Sequence, residues 1–517
     1  MKNCCCLLLF ASLASTLHAQ ESVDTAAFRQ IRSAEMADSH VADIAFHITD
    51  AAGSRLTISP GYFRAAKWAV ATMKQWGMQN AALEPWGEYG RGWEIEDFHI
   101  SLRTPYAGYI LGYPLPWSTN TNGDIHAPLF LLTNSNLMDS AWLVGHADEM
   151  KGKIILVAST VARHSVDDTQ PFATRLTDSA LARLPDDYML TRAQLMGFLK
   201  PQAQRERALL QLKANGALAV VYANGRGQDG TLGVQSYLNY KTGRPAFLPE
   251  ATISSEDGFK IKRLLAAGES VELNLNIKGK FYGDDTRGYN VVGEIPGTDP
   301  GLKTQLVMLG GHLDSWSAAT GATDNGAGCI VMLEAVRLLD SLHLQPKRTI
   351  RIALWGGEEE GLLGSYNYVK NHFGSGETGV FKPEQALVSA YFNLDNGTGR
   401  IRGIYAQNDT AVKPIFEAWL VPFGDLDAKT VTLSNTGSTD HLPFDWVNIP
   451  GFQFIQDPLD YETRTHHTNM DTYDYLRMDD LKQAAIIVAS FVYQASIRPD
   501  LLPRKPVVKE QFVFDGF

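Results

Sequence analysis

His312 and Asp314 in "GGHLDS", Asp324 in "TGATDNGAG", Glu358 and Glu359 in "LWGGEEEGLLGS", Asp395 in "FNLDNG" and His467 in "RTHHTNMDTYD" are of the residue types that hold divalent cations or move protons. Histidine and carboxylate without cysteine suit a hard-to-borderline ion, of which zinc is the commonest match. Two histidines with three carboxylates exceed one tetrahedral site that also keeps a water. They match two metals sharing a bridging carboxylate and a bridging water. Each residue alone has a plainer use: Asp324 can cap a helix, Asp395 before Asn396 and Gly397 can form a turn, and consecutive glutamates suit the first turn of a helix. Five suitable ligands at the ends of strands are improbable as independent caps, and that coincidence carries the metal reading. Asp314, two residues beyond a histidine ligand, can orient its ring. The residue types alone leave open which of Glu358, Glu359 and Glu360 does chemistry.

These residues need elements that bring them to one place. "TQLVMLGGHLDS" reads as a short apolar strand, "TDNGAGCIVMLEAVRLLDSL" as an amphipathic helix, "RTIRIALWGG" as a strand, "LLGSYNYVKNHF" as a helix, and "QALVSAYFNLDNG" and "IPGFQFIQD" as further strands. The alternation predicts an α/β fold, a mixed and mostly parallel sheet with helices on both faces, whose ligands bind beyond the carboxyl ends of the strands. Upstream, Ser59 and Pro60 open a helix. "KGKIILVAST", "RERALLQLKANGALAVVYANG" and "AGESVELNLNIKGKFY" then read as a strand, a helix entering a buried strand, and an alternating strand. No cluster of metal-ligand types falls in this middle region. We expect a β-rich domain over 129–282 inserted between catalytic segments 20–128 and 283–500, with a Pro-rich tail over 501–517.

A chain of 517 residues that is 44% hydrophobic and 20% charged has material for more than one folding unit. The net charge of -11 argues against a nucleic-acid surface. Residues 1–19 carry one basic residue, an apolar run too short to span a bilayer and Ala19 near a plausible cleavage point, so an export signal and a periplasmic or extracellular destination are expected. Cys4, Cys5 and Cys6 would leave with it, and Cys329 would have no partner for an internal disulfide. No later stretch is apolar enough for a transmembrane segment. The oligomeric state is open, a homodimer included.

From about Tyr289 to Tyr493, "GGHLDSW", "GATDNGAG", "WGGEEEGLLGS", "FNLDNGTG", "STDHLPF" and "HHTNMDTYD" together resemble the secreted co-catalytic zinc exopeptidases, which include bacterial leucine aminopeptidases and plasma glutamate carboxypeptidase. The resemblance implies two zinc ions per chain, one bound by His312 and Asp395, the other by Glu359 and His467, with Asp324 bridging them. It implies Glu358 as general base toward a metal-bridging water, Asp314 as the partner of His312, and a cis peptide at Asp324–Asn325. It selects His467 over His466, lets Asp471 support His467, makes Asp440 a substrate-side carboxylate and leaves Glu360 facing outward. The middle region is similar to the protease-associated domain that many members carry. The implied function is removal of N-terminal residues from peptides or cleavage of dipeptides, with carboxypeptidase action as a variant. Glutaminyl cyclase, a one-zinc transferase of the same fold, and a non-catalytic receptor module are the rival readings; metal stoichiometry separates the first, and the complete ligand set weighs against the second.

Overall fold

Ser59 accepts the Tyr62 amide at 3.2 Å and Pro60 occupies the first turn, so the helix Pro60–Gln75 starts where the capping pattern requires. Tyr62, Ala65, Ala66, Ala69 and Met73 form its buried face and join the largest hydrophobic core. The computed structural model describes residues 21–158, 171–186, 192–223 and 229–505. The expected export signal over 1–19 and the tail beyond residue 505 lie outside the described residues.

The first sheet has eight strands in the spatial order Gln79–Glu88, Arg287–Ile295, Thr349–Trp355, Leu306–His312, Val388–Asn393, Gly451–Gln456, Ile401–Tyr405 and Thr430–Thr432. Its four central strands run parallel; Arg287–Ile295 and Ile401–Tyr405 flank them antiparallel, Gln79–Glu88 is antiparallel to Arg287–Ile295, and Thr430–Thr432 is parallel to Ile401–Tyr405. This is the mixed, mostly parallel sheet expected of apolar strands alternating with helices. The helices Ala327–Ser341 and Met478–Ile497 are buried along nearly their whole length, so the latter is structural. Gly328 permits the close approach: a Cβ there would lie 2.2 Å from the Leu394 carbonyl oxygen, at the end of the strand that leads to Asp395. Cys329 is buried and free. Among the described residues no helix is long and apolar enough to cross a membrane.

A second sheet of eight strands comprises Gly108–Tyr109, Gly92–Thr104, Glu272–Tyr282, Ile125–Thr133, Ile154–Ala158, Ala219–Ala223, Glu250–Ile253 and Gly112–Pro114, in that order. The expected boundary at 128/129 is therefore moved. Gly92–Thr104 pairs along its length with Glu272–Tyr282, while the preceding strand Gln79–Glu88 pairs with Arg287–Ile295. The chain crosses between sheets at Tyr89–Arg91, where the Tyr89 and Gly90 amides both donate to the Thr286 carbonyl at 2.8 and 3.0 Å. The physical reason for the misplacement is that "GWEIEDFHISLRT" alternates like any half-exposed strand, and alternation does not say which sheet receives it.

Candidate metal centre

The carboxyl ends of the central strands deliver the chemistry. His312 is the last residue of Leu306–His312, Glu358 to Glu360 follow Thr349–Trp355, and Asp395 follows Val388–Asn393. Asp324 lies just before the helix Ala327–Ser341, preceding a cis peptide to Asn325, as the family resemblance implied.

His312, 1% exposed, sets Nδ1 3.1 Å from the Asp314 carbonyl oxygen and turns Nε2 into the centre. Nε2 lies 3.3 Å from Asp324 Oδ1, 3.3 Å from Asp395 Oδ1 and 3.9 Å from Glu358 Oε2. A second cluster stands on the other oxygen of Asp324: His467 Nε2 is 3.0 Å from Asp324 Oδ2 and 3.0 Å from Glu359 Oε2. His466 is more distant, with Nε2 3.8 Å from Asp324 Oδ2 and Nδ1 3.4 Å from Glu462. The structure thus brings together all five expected ligands and Glu358, with the two histidines facing opposite oxygens of Asp324.

Asp324 Oδ2, Glu359 Oε1 and Asp395 Oδ1 are buried without a hydrogen-bond partner. Leaving such groups unpaired costs on the order of 1–3 kcal/mol each, more when charged, so a cluster of them facing one another suits a bound cation. Histidine nitrogens and carboxylate oxygens with no sulfur are the donor set of zinc at a hydrolytic centre. Burial pushes the Asp324 carboxyl up, but His467 and His312 outweigh it and hold it well below the usual carboxylate range. Burial, with the charge of Asp395 and Asp440, raises Glu358 well above that range against the pull of His312. Burial and Asp324 do the same for Glu359. A cleft of about 170 Å³ beside Trp316 and Gly321 reaches Asp324, Glu359 and His467.

Several neighbouring residues differ from expectation. The Asp314 carboxylate stands 3.7 Å from His312 Nδ1, farther than its own carbonyl, and instead accepts the amides of Glu358 at 3.3 Å and Glu359 at 3.2 Å. Asp471 supports Asp324 rather than His467, accepting the Thr323 amide at 2.5 Å and the Asp324 amide at 3.1 Å. Glu360 does not face water. It is fully buried and accepts Thr57 Oγ1 at 2.8 Å, because residues 358–362 form a turn rather than a helical first turn and send the three side chains in different directions. Asp440 makes no side-chain helix cap; its Oδ1 accepts Ser365 Oγ at 2.5 Å, and burial pushes its carboxyl up to about 8. His441 is buried against Gln407 and Thr436, with its imidazole pushed down to about 3 by burial.

Sequence reading missed Arg55. Its guanidinium lies fully buried beneath the centre and donates to the carbonyls of Leu313 at 2.6 Å, Ile48 at 3.0 Å, Gly321 at 2.8 Å and Thr320. It thereby ties together the loop that runs from His312 toward Asp324. No local pattern in "GSRLTIS" signals this, since all four acceptors are main-chain oxygens chosen by tertiary contact.

Residues 290–492 match the model of Peptidase family M28. Carboxypeptidase Q of Homo sapiens is 30% identical over 265 residues, 51% of this chain and 53% of that protein. Leupeptin-inactivating enzyme 1 of Streptomyces exfoliatus is 31% identical over 171 residues, 33% of this chain and 36% of that protein. The chain thus spans about half the length, or less, of these curated relatives. Among solved structures, a peptidase M28 precursor from Shewanella amazonensis superposes with a TM-score of 0.68 at 24% identity, covering 93% of this chain and 98% of that one. A zinc aminopeptidase from Bacillus subtilis gives a TM-score of 0.56 at 20% identity, covering 90% and 98%. At these identities the two structures speak to the fold.

Proposed function

We infer, from the match of residues 290–492 to the model of peptidase family M28, a zinc-dependent exopeptidase that hydrolyses N-terminal residues of peptides or splits dipeptides. The observation that carries this reading is the placement of His312 and His467 on opposite oxygens of Asp324, among buried carboxylate oxygens that lack partners. His312 and Asp395 would hold one zinc, Glu359 and His467 the other, and Asp324 both. Two zinc ions there supply electrophilic polarisation of the scissile carbonyl and acidify a water. The chain's residues do the rest. Glu358, raised above the usual carboxylate range by burial and standing 3.9 Å from His312, is the carboxylate placed to take a proton from the attacking water and deliver it to the leaving amine. Asp314 supports that role by holding the Glu358 and Glu359 amides, which fixes one glutamate toward His312 and the other toward His467. The second sheet is consistent with an inserted protease-associated domain, and the apolar N-terminus with export.

Carboxypeptidase action is the second reading, favoured by the likeness to carboxypeptidase Q. Assays on aminoacyl-nitroanilides, free dipeptides, C-terminally blocked peptides and N-terminal glutamine peptides, after chelation and zinc readdition, separate the alternatives. Cyclisation of N-terminal glutamine with one zinc per chain and no peptide hydrolysis would overturn the exopeptidase assignment. Glu358→Gln should keep its zinc and lose turnover by roughly 10²–10⁴-fold; near-normal hydrolysis by that variant would remove Glu358 from the proton-transfer role.

A further inference from the structure

The loop that carries His467 is gripped from two sides, by residues 172–176 and by residues 230–234, both of which lie between strands of the second sheet in the chain. Thr174 forms an antiparallel bridge with Leu459, exchanging amide-to-carbonyl bonds of 3.0 and 2.8 Å. Arg175 beside it inserts between two buried carboxylates, 2.8 Å from Asp457 Oδ2 and 2.8 Å from Asp480 Oδ2. The Leu176 amide donates to Asp457 Oδ1 at 2.9 Å, Thr463 Oγ1 donates to the Phe172 carbonyl at 2.7 Å, and the Arg464 guanidinium lies 4.6 Å above the Phe172 ring. On the far side of the histidines, Gly233 bridges Thr468, and the Val234 amide donates to the carbonyl oxygen of His467 itself at 3.0 Å. Asn469 completes that contact as a peptide mimic: its Oδ1 accepts the Leu232 amide at 2.6 Å, its Nδ2 donates to the Gly230 carbonyl at 3.2 Å, and its own amide donates to Leu232 O at 3.1 Å.

The ligand between these contacts needs holding. His467 has φ +59°, a left-handed conformation uncommon for a residue with a Cβ, and its Nδ1 is buried without a hydrogen-bond partner. Ligand histidines are commonly fixed through the second ring nitrogen; here the fixing contacts fall on the backbone and on the ring face. Trp316 meets the His467 ring edge to face at 6.1 Å, and Trp316 is in turn backed by Tyr237 at 5.6 Å and Trp117 at 6.3 Å, both from the second-sheet unit.

We infer that segments 172–176 and 230–234, which lie between strands of the second sheet in the chain, brace one half of the metal centre, with Arg175 and Asn469 as positioning residues that hold His467 against Asp324 and Glu359. His312 and Asp395 themselves stand at strand ends of the first sheet; the loop after His312 is touched through Tyr113, whose hydroxyl donates to the Ser317 carbonyl at 2.9 Å, but among the described residues no hydrogen bond joins the second sheet to His312 or Asp395 directly. The inference rests on the two-zinc reading, and it predicts unequal consequences for the two halves.

The test uses the full chain. After dialysis against a weak chelator, zinc per chain and competitive zinc affinity are measured for wild type, Arg175→Gln, Arg175→Lys and Asn469→Ala, together with hydrogen exchange over 457–471. The expected result is one zinc held as in wild type and the other held roughly 10–100-fold more weakly in Arg175→Gln and Asn469→Ala, the range for lost ligand-orienting contacts. Partial recovery is expected in Arg175→Lys, and faster exchange at 467–471 without change in the strand Ile154–Ala158. Repeating Asn469→Ala in an Asp395→Ala background, where Glu359 and His467 are the intact pair, should show the same loss in the remaining zinc. Equal weakening of both zincs, or unchanged zinc binding with unchanged loop exchange, would overturn the brace. A wild type that holds a single zinc would instead refute the two-metal reading, and the exchange rates of 467–471 would still decide whether Asn469 and Arg175 restrain the loop.

Discussion

Glu358, Glu359 and Glu360 are adjacent in sequence and chemically identical, yet their environments separate them. Glu358 comes within 3.9 Å of His312, Glu359 within 3.0 Å of His467, and Glu360 turns inward to Thr57. Glu360→Ala should therefore cost about 1–3 kcal/mol by leaving a buried void and removing one of the two carboxylates, Glu360 and Asp314, that meet the Thr57 hydroxyl, measured by urea unfolding, whereas a solvent-facing glutamate would stay within about 0.5 kcal/mol of wild type. His441 supplies a pH prediction away from the metal ligands. Burial pushes its folded-state pKa down to about 3, while the unfolded chain takes up that proton near an ordinary value of about 6.5. Between those values the unfolded state binds more protons, so stability falls as pH drops through this window, by up to about 1.4 kcal/mol per pH unit. Comparing wild type with His441→Gln at pH 7 and pH 5 should show a shallower loss in the variant; parallel slopes would remove His441 as the cause.

Strand ends and the helix start act together at the scale of elements. The helix Ala327–Ser341 can approach the end of Val388–Asn393 because residue 328 has no side chain, and a Cβ there would meet Leu394 O at 2.2 Å and Asn325 Oδ1 at 2.4 Å. Gly328→Ala should lose about 1–3 kcal/mol from overpacking. It should also weaken zinc binding, since the displaced groups adjoin Asp395 and Asp324; denaturation and zinc titration of the same variant check both. The order of these strands and helices was legible because apolar runs of strand length alternate with amphipathic helical stretches. The handover at Tyr89–Arg91 was not legible, because the strands on either side of it both pair antiparallel with strands from 272–295 and local pattern does not say that these belong to different sheets.

For the whole molecule, a rim of buried carboxylates makes stability depend on what neutralises it. Chelation should lower the unfolding midpoint, and added zinc should restore it; a ligand at a thousand times its dissociation constant contributes about 4 kcal/mol. Urea titrations with and without zinc read this directly, and identical midpoints would show that the cluster is stable without a cation. The α/β class was legible in the sequence because it depends on the alternation of strand and helix periods, and residue types at strand ends nominated candidate ligands, with the family resemblance singling out His467 and naming Glu358 as candidate base. Only the tertiary structure decided that Glu360 is buried, that Asp314 holds the glutamate turn and Asp471 the Asp324 loop, and that Arg55 lies beneath the centre. It also decided that segments near 174 and 233 reach the loop of His467. The physical reason is common to all of these: each is a contact between residues far apart in the chain, often made to a main-chain oxygen or amide that every residue carries, and such a partner leaves no mark on local pattern.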